Sequence, residues 1–308
     1  MASEVQCAVP LVLDPPTAVD AFIPSRVRVF GTPDSPAQGL ERDGALAEEV
    51  PVAMVFNGIS HAVMMSSPAN LEVFALGFAL SEGILASVDE CRGVEVFEGI
   101  SAEGLRAFEV HLDISSRRFE GLKERRRQLA GRTGCGVCGI ESLDALELVP
   151  PTLPELPWQS QIDHATVTRA MQALPQRQLL NARVESVHAA GWAGLDGVLQ
   201  DVMEDVGRHN ALDKLIGQRA RAGLLAEPGF VVLSSRASHE LVGKCARAGW
   251  VGLATISAPT ALGVRAAQLC GLRLWGMCRS PKAILYAEGG AAQLRESRAA
   301  TLSPSLTV

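Results

Sequence analysis

The fold turns on residues 230–277, FVVLSSRASHELVGKCARAGWVGLATISAPTALGVRAAQLCGLRLWGM. Phe230 to Ser234, Val251 to Ile256 and Leu272 to Met277 are apolar runs of strand length. Ser238 to Ala248 and Thr260 to Leu269 carry helical spacing and each opens on a hydroxyl residue suited to capping. This is a β-α-β-α-β series. Apolar strands without alternation must be buried on both faces, and helices of this length are crossovers. The stretch therefore predicts an α/β fold with a parallel sheet, right-handed connections and helices on either side.

Outward from this stretch, Val187 to Trp192 and Val198 to Met203 predict further strands, and Asn210 to Ala222 a helix. In the first half, Val52 to Phe56 and Ile59 to Met65 flank Asn57-Gly58, the pair that supplies the positive φ angles of a tight hairpin. Ser67 is placed to cap a following helix, with Pro68 and Glu72 in its first turn and Leu71, Phe74, Phe78 and Leu85 on its apolar side. Phe108, Val110, Leu112 and Ile114 alternate with polar residues, which predicts a half-buried strand with His111 towards solvent. Pro150, Pro151, Pro154 and Pro157 mark a linker or crossing segment. The predicted organisation is a poorly ordered extension over 1–45, with Arg26 to Phe30 as its one short strand, a smaller α+β part over 46–149, an α/β/α part over 150–288 and a tail over 289–308.

A length of 308 residues corresponds to about two domains. Hydrophobic residues at 47%, charged residues at 20% and a mean hydropathy of +0.17 describe a chain that buries a core. Aromatics at 5%, with a single Tyr, leave few platforms for stacking bases, and a net charge of −6 argues against a nucleic-acid partner. No run approaches the roughly 18 apolar residues that predict a membrane span. The N-terminal residues carry an acid before a short apolar run and lack a basic start, unlike a secretory signal. Seven Cys, an odd number and mostly scattered, suit a reducing compartment, so the expected location is the cytoplasm.

In an open α/β sheet, ligands bind beyond the carboxyl ends of the strands, where helix N-termini present free N–H groups. Three such ends are legible: Ser234-Ser-Arg236-Ala-Ser238, Ser257-Ala-Pro-Thr260 and Met277-Cys278-Arg279-Ser280-Pro281-Lys282. Their hydroxyls and cations suit phosphate oxygens; the plainer reading is helix capping by Ser238 and Thr260 beside surface arginines. A fourth cluster, Glu204 to Asn210, places His209 one helical turn from Asp213, with Asp205 or Asn210 as caps. Binding or positioning suits His209 better than proton transfer.

Cys135-Gly-Val-Cys138 is the sharpest feature, flanked by glycines and preceded by the basic run Arg117 to Arg132, which favours thiolates. Three readings stand side by side. A zinc site lacks a second ligand pair at suitable spacing, a thioredoxin-like exchanger would open directly into a helix, and a persulfide carrier would accept a sulfur atom on one thiolate while the second releases it. The basic run reads either as guidance for an acidic partner or as a solvated helix face. Cys245, Cys270 and Cys278 fall on or beside predicted core elements, and Cys7 and Cys91 in weakly patterned sequence.

The segments GRTGCGVCG at 131–139, EDVGRHNALDKLIG at 204–217, SSRASHELV at 234–242 and ISAPTALGV at 256–264, with NGISHAVMMSSP and ALGFALSEGI upstream, resemble the formate dehydrogenase accessory sulfurtransferases of the FdhD type. The resemblance covers most of residues 50–287. It implies a cytoplasmic homodimer with a core like that of cytidine deaminases. Its implied role is to take sulfur from a cysteine desulfurase as a cysteine persulfide and to sulfurate the bis-molybdopterin guanine dinucleotide form of the molybdenum cofactor for the formate dehydrogenase catalytic subunit. Cys135 matches the persulfide-bearing cysteine, Cys138 its neighbour, and Met277 to Lys282 the cofactor-binding segment, to which Arg236 and His209 are added as candidates. Met277 stands where the family often has an aromatic residue. The zinc motifs of deaminases are missing, so neither a deaminase reaction nor a structural metal is expected. The alternative function is a chaperone that shelters and delivers the cofactor without transferring sulfur.

Overall fold

The computed structural model describes residues 21–30, 39–128 and 148–290, with backbone alone over 124–128. β1 (Phe22–Val29) and β2 (Leu40–Ala47) form an antiparallel hairpin where the sequence predicts a poorly ordered stretch with one short strand. Its outward residues are charged and cross-paired, as in Arg28 with Glu41, so apolar alternation is too weak to reveal it. Ala21 anchors its start against Leu180 and Val187.

The first half builds a four-stranded sheet in the order β4-β3-β6-β5 from β3 (Val50–Phe56), β4 (Ile59–Ser66), β5 (Cys91–Ile100) and β6 (Arg106–Ile114). The β3–β4 turn is the expected Asn57-Gly58 pair, at φ 45° and 78°. Cys91 opens a strand rather than lying in unpatterned chain. α1 (Leu71–Ser81) follows, with Asn70 in the left-handed region, rather than Ser67, at its N-cap position. α2 (Ser116–Gln128) begins with Arg118 and Arg117 paired to Glu90.

In the second half the proline-rich segment is irregular, then come α3 (His164–Arg177), α4 (Asn181–Val184), β7 (His188–Ala193), β8 (Leu199–Asp205) and α5 (Arg208–Arg221). β9 (Phe230–Leu233), α6 (His239–Arg247), β10 (Gly252–Thr255), α7 (Ala261–Cys270), β11 (Arg273–Arg279) and β12 (Lys282–Ala287) complete it. The six strands lie in the order β12-β11-β10-β9-β7-β8. β9, β10 and β11 are parallel, as their helical crossovers require. The parallel pattern expected for 230–277 thus holds, while the sheet as a whole is mixed: β7 runs against β8 and β9, and β12 against β11. The β7–β8 and β11–β12 links are too short for a crossover, so those pairs must reverse.

Every residue of β9 and β10 is buried, so both faces are covered. The register shows by what. Gly252 lies against Ile162 at the entrance to α3, and Arg273 and Trp275 on the same face donate to the Ile162 carbonyl. Trp192 points to the other face, where the α5 side chain Arg219 stacks 4.4 Å above its ring. α5 then packs on α1, and α1 on β5 and β6, so the two sheets belong to one continuous core. The α1–α5 crossing is glycine on glycine. A Cβ built on Gly77 would lie 1.7 Å from the Asp213 carbonyl oxygen, and one on Gly217 would lie 1.8 Å from that of Val73. Only residues without a side chain let these backbones approach so closely.

Candidate functional site

Because β7 is antiparallel to both neighbours, β8, β9, β10 and β11 all point the same way and end along one edge of the sheet. α5, α6 and α7 begin at that edge, immediately after β8, β9 and β10, with their unpaired N–H groups directed to it. Ser238 and Thr260 cap α6 and α7, as their positions predict: each hydroxyl accepts from a backbone N–H three residues on. The loops are stitched to each other. Thr260 N donates to the Ala237 carbonyl at 3.0 Å and Met277 N to that of Ser257 at 3.2 Å, while Thr255 Oγ1 donates to Ser257 O at 2.8 Å. The structure thus brings the four sequence-predicted loops together.

Their charges are unequal to the chain's net negative balance. Arg236, Arg279 and Lys282 are exposed, and with Arg208, the first residue of α5, they form no ion pair among the described residues. Cations beside helix N-termini suit an anionic group such as a phosphate. Met277 adopts φ 52°, a left-handed conformation that costs a non-glycine residue about 1–2 kcal/mol. Backbone strain of this kind clusters at functional sites. Cys278 is buried, and burial pushes its thiol up to about 11, so it stays protonated and unreactive at neutral pH. Cys245 and Cys270 are likewise buried, as their predicted core positions require.

His209 is held, but not by Asp213. Its Nε2 lies 2.9 Å from Glu240 Oε2 on α6, a partner 31 residues away that helical spacing does not reveal. Burial and then Arg208 hold the imidazole below the usual histidine range, against the pull of Glu240. His188, at the start of β7 on the same edge, is lowered by burial and Arg208 as well. Arg208 thus acts on both imidazoles in the same direction as burial.

Beneath this edge lie buried ion pairs that sequence reading did not foresee, although it named Asp205 and Asp213 in other roles. Asp205 is fully buried: it lies 2.5 Å from Lys214 Nζ and accepts from Ser66 Oγ, Ser67 N, Gly207 N and Asn210 Nδ2. Neither Asp205 nor Asn210 caps α5, whose cap position is Gly207. Ser67, taken from the sequence as a helix cap, instead ties this cluster to the first half. Asp213 accepts from Ser81 Oγ at 2.6 Å and from Lys244 Nζ at 2.9 Å, and Lys244 also reaches Glu82 at 2.7 Å. Burial pushes Asp213 up to about 6 despite Lys244. Burial acts to lower Lys244, but Asp213 and Glu82 together outweigh it and hold the ammonium charged. These clusters join α1, α5 and α6 and fix where α5 and α6 deliver Arg208, His209 and Glu240. The one available signal was a lysine or aspartate falling on the inward side of each helix.

Cys135 and Cys138 lie outside the described residues. Among the described residues, no three His, Cys, Asp or Glu side chains gather to hold a metal ion, and no helix is long and apolar enough to cross a membrane.

Fold and edge together define a mixed α/β protein in which four strand ends and three helix N-termini meet at one edge carrying exposed Arg236, Arg279 and Lys282. The model of the FdhD/NarQ family matches residues 47–292, and the chain belongs to that family. It is 49% identical over 241 residues to a sulfur carrier protein FdhD of Burkholderia cenocepacia, covering 78% of this chain and 86% of that one. Its identity to the protein of the same name from Chromobacterium violaceum is 52%, covering 78% and 87% of the two chains. A solved Desulfotalea psychrophila chain, described as a formate dehydrogenase accessory protein, shares the fold. Its TM-score is 0.62 and its identity 22%, with 89% of this chain and 99% of that one covered.

Proposed function

We propose that this chain is a cytoplasmic sulfurtransferase. It accepts sulfur from a cysteine desulfurase on Cys135 and passes it to molybdenum in bis-molybdopterin guanine dinucleotide, bound as substrate, for the formate dehydrogenase catalytic subunit. The observation that carries the reading is the convergence of the strand-end loops into one basic edge, in a chain about half identical to proteins named sulfur carriers. In the accepting step, the Cys135 thiolate attacks the outer sulfur of the donor persulfide. The donor S–S bond breaks, its cysteine leaves as a thiolate, and no electrons are gained or lost overall. When no acceptor is present, Cys138 attacks the inner sulfur of the persulfide now on Cys135, which releases hydrosulfide and leaves a Cys135–Cys138 disulfide.

At the sheet edge, Arg279 and Lys282 meet the diphosphate oxygens, Arg236 adds a third cation, and Met277, Cys278, Ser280 and Pro281 shape the wall that receives the nucleotide. Glu240 orients His209 as a neutral hydrogen-bonding group beside them. The homodimer and the deaminase-like core belong to the same reading. Mass spectrometry of the protein after incubation with a cysteine desulfurase and cysteine tests it. Wild type gains the mass of one sulfur, localised to Cys135, and Cys135→Ala gains none there. A wild type that takes up no sulfur at Cys135 refutes the transfer, and full activation of a formate dehydrogenase by both Cys135→Ala and Cys138→Ala establishes delivery alone.

A further inference from the structure

The segment 277–282 is held from outside its own hairpin. The β11–β12 ladder is regular at Gly276 with Ile284 and again at Arg279 with Lys282, but the register shifts between them. Met277, within that irregularity, takes its positive φ. The two strands therefore do not fix the path of the turn by themselves. Two side chains of α3 reach across to it. His164 Nε2 lies 2.8 Å from the Pro281 carbonyl oxygen, and Gln172 Nε2 donates to Ser280 Oγ at 2.6 Å. The helix residues stand about 12 Å apart along the α3 axis, yet their targets are adjacent in the chain, so α3 holds two successive residues of the turn. Both side chains are exposed, and a hydrogen bond there adds little to global stability; its effect is on where the turn sits.

We infer that His164 and Gln172 are positioning residues for the anion site: they hold Ser280-Pro281 so that Arg279 and Lys282, on either side, face the ligand together. The inference rests on the reading of 277–282 as a nucleotide-diphosphate site. α3 itself is absent from the sequence prediction, so no motif points to this role. Two consequences follow from the geometry. Loss of either contact loosens the turn without disturbing the core, and a substitute that keeps an amide donor at the reach of the imidazole Nε2 restores it.

The probe is guanosine diphosphate, titrated calorimetrically against full-length wild type, His164→Ala, His164→Gln, Gln172→Ala and Arg279→Ala, with hydrogen exchange measured over 277–283. The expected result is that His164→Ala and Gln172→Ala each weaken binding about fivefold. Exchange rises within the turn and not in β9 or β10, melting temperatures hold, and His164→Gln binds as wild type does. Arg279→Ala weakens binding regardless of α3. Unchanged affinity and unchanged turn exchange in both alanine variants, with Arg279→Ala impaired, overturn the positioning role and leave the site intact. If wild type does not bind, or Arg279→Ala binds equally well, the nucleotide site itself is refuted and the inference with it.

Discussion

Substituting Gly217 by Ala tests whether the α1–α5 crossing holds the two sheets together. In an ordinary helix the change stabilises by about 1 kcal/mol, because glycine is the poorer helix former. Here the new Cβ would sit 1.8 Å from the Val73 carbonyl oxygen and 2.9 Å from Gly77 N, so the helices must part by about 1 Å. Overpacking of this kind costs about 1–3 kcal/mol. The same displacement stretches Ser81 Oγ to Asp213, at 2.6 Å, and Lys214 Nζ to the Ser67 carbonyl, at 3.2 Å, towards or past hydrogen-bond reach. Contacts to charged groups contribute about 1.5–3 kcal/mol each. The net expectation is a loss of about 3 kcal/mol or more, read as a fall of about 1 M in the urea midpoint for an m-value near 3 kcal/mol/M. Gly243→Ala in α6 is the control: its nearest neighbour is Arg247 Nη1 at 3.6 Å, so that variant should match or exceed wild type. A Gly217→Ala midpoint within about 0.2 M of wild type would refute the account of the crossing.

Asp213 makes stability depend on pH. Its folded value of about 6, against an ordinary 3.8, means that the folded chain binds this proton more tightly. The stability it contributes is full below about pH 3.8 and is lost as pH rises through about 6. Urea midpoints of wild type relative to Asp213→Asn should therefore decline between those values, and parallel curves would contradict the assignment. Glu240→Gln should lower the His209 pKa further, because Glu240 favours the imidazolium; the ring proton shift in an NMR titration reads this directly, and a rise would be contrary. Thr260→Ala should cost about 1 kcal/mol in unfolding free energy through loss of the α7 cap. In native protein at pH 8, iodoacetamide should spare Cys245, Cys270 and Cys278 until guanidinium unfolds the chain, as mapped by peptide mass.

The parallel core β9–α6–β10–α7–β11 was legible because its strands are apolar throughout and its helices announce their starts with Ser238 and Thr260. The hairpin at Asn57-Gly58 was legible because that pair encodes a backbone angle. The short β7–β8 link already implies a reversal there, whereas β12 is not read as a strand from the sequence and its reversal appears only in the pairing. β5 was missed because glycines and exposed side chains break the alternation of CRGVEVFEGI. α3 was hidden behind the proline-rich stretch and carries Pro175 within its last turn. At the site, the loops and cations could be read because strand ends in such sheets follow a general rule. Lys214, Lys244 and Glu240 could not, since a charged residue on a helix is ordinarily solvated and its burial depends on what packs against it.

The serines that complete the two buried ionic clusters come from one half of the chain and the lysines from the other. A fragment starting near residue 150 would carry Lys214 and Lys244 into a core stripped of Ser66, Ser67 and Ser81, and a fragment ending there would leave α1 with its glycine seam open to water. Neither piece has a reason to survive by itself, so the protein should melt in a single step and resist being expressed in halves.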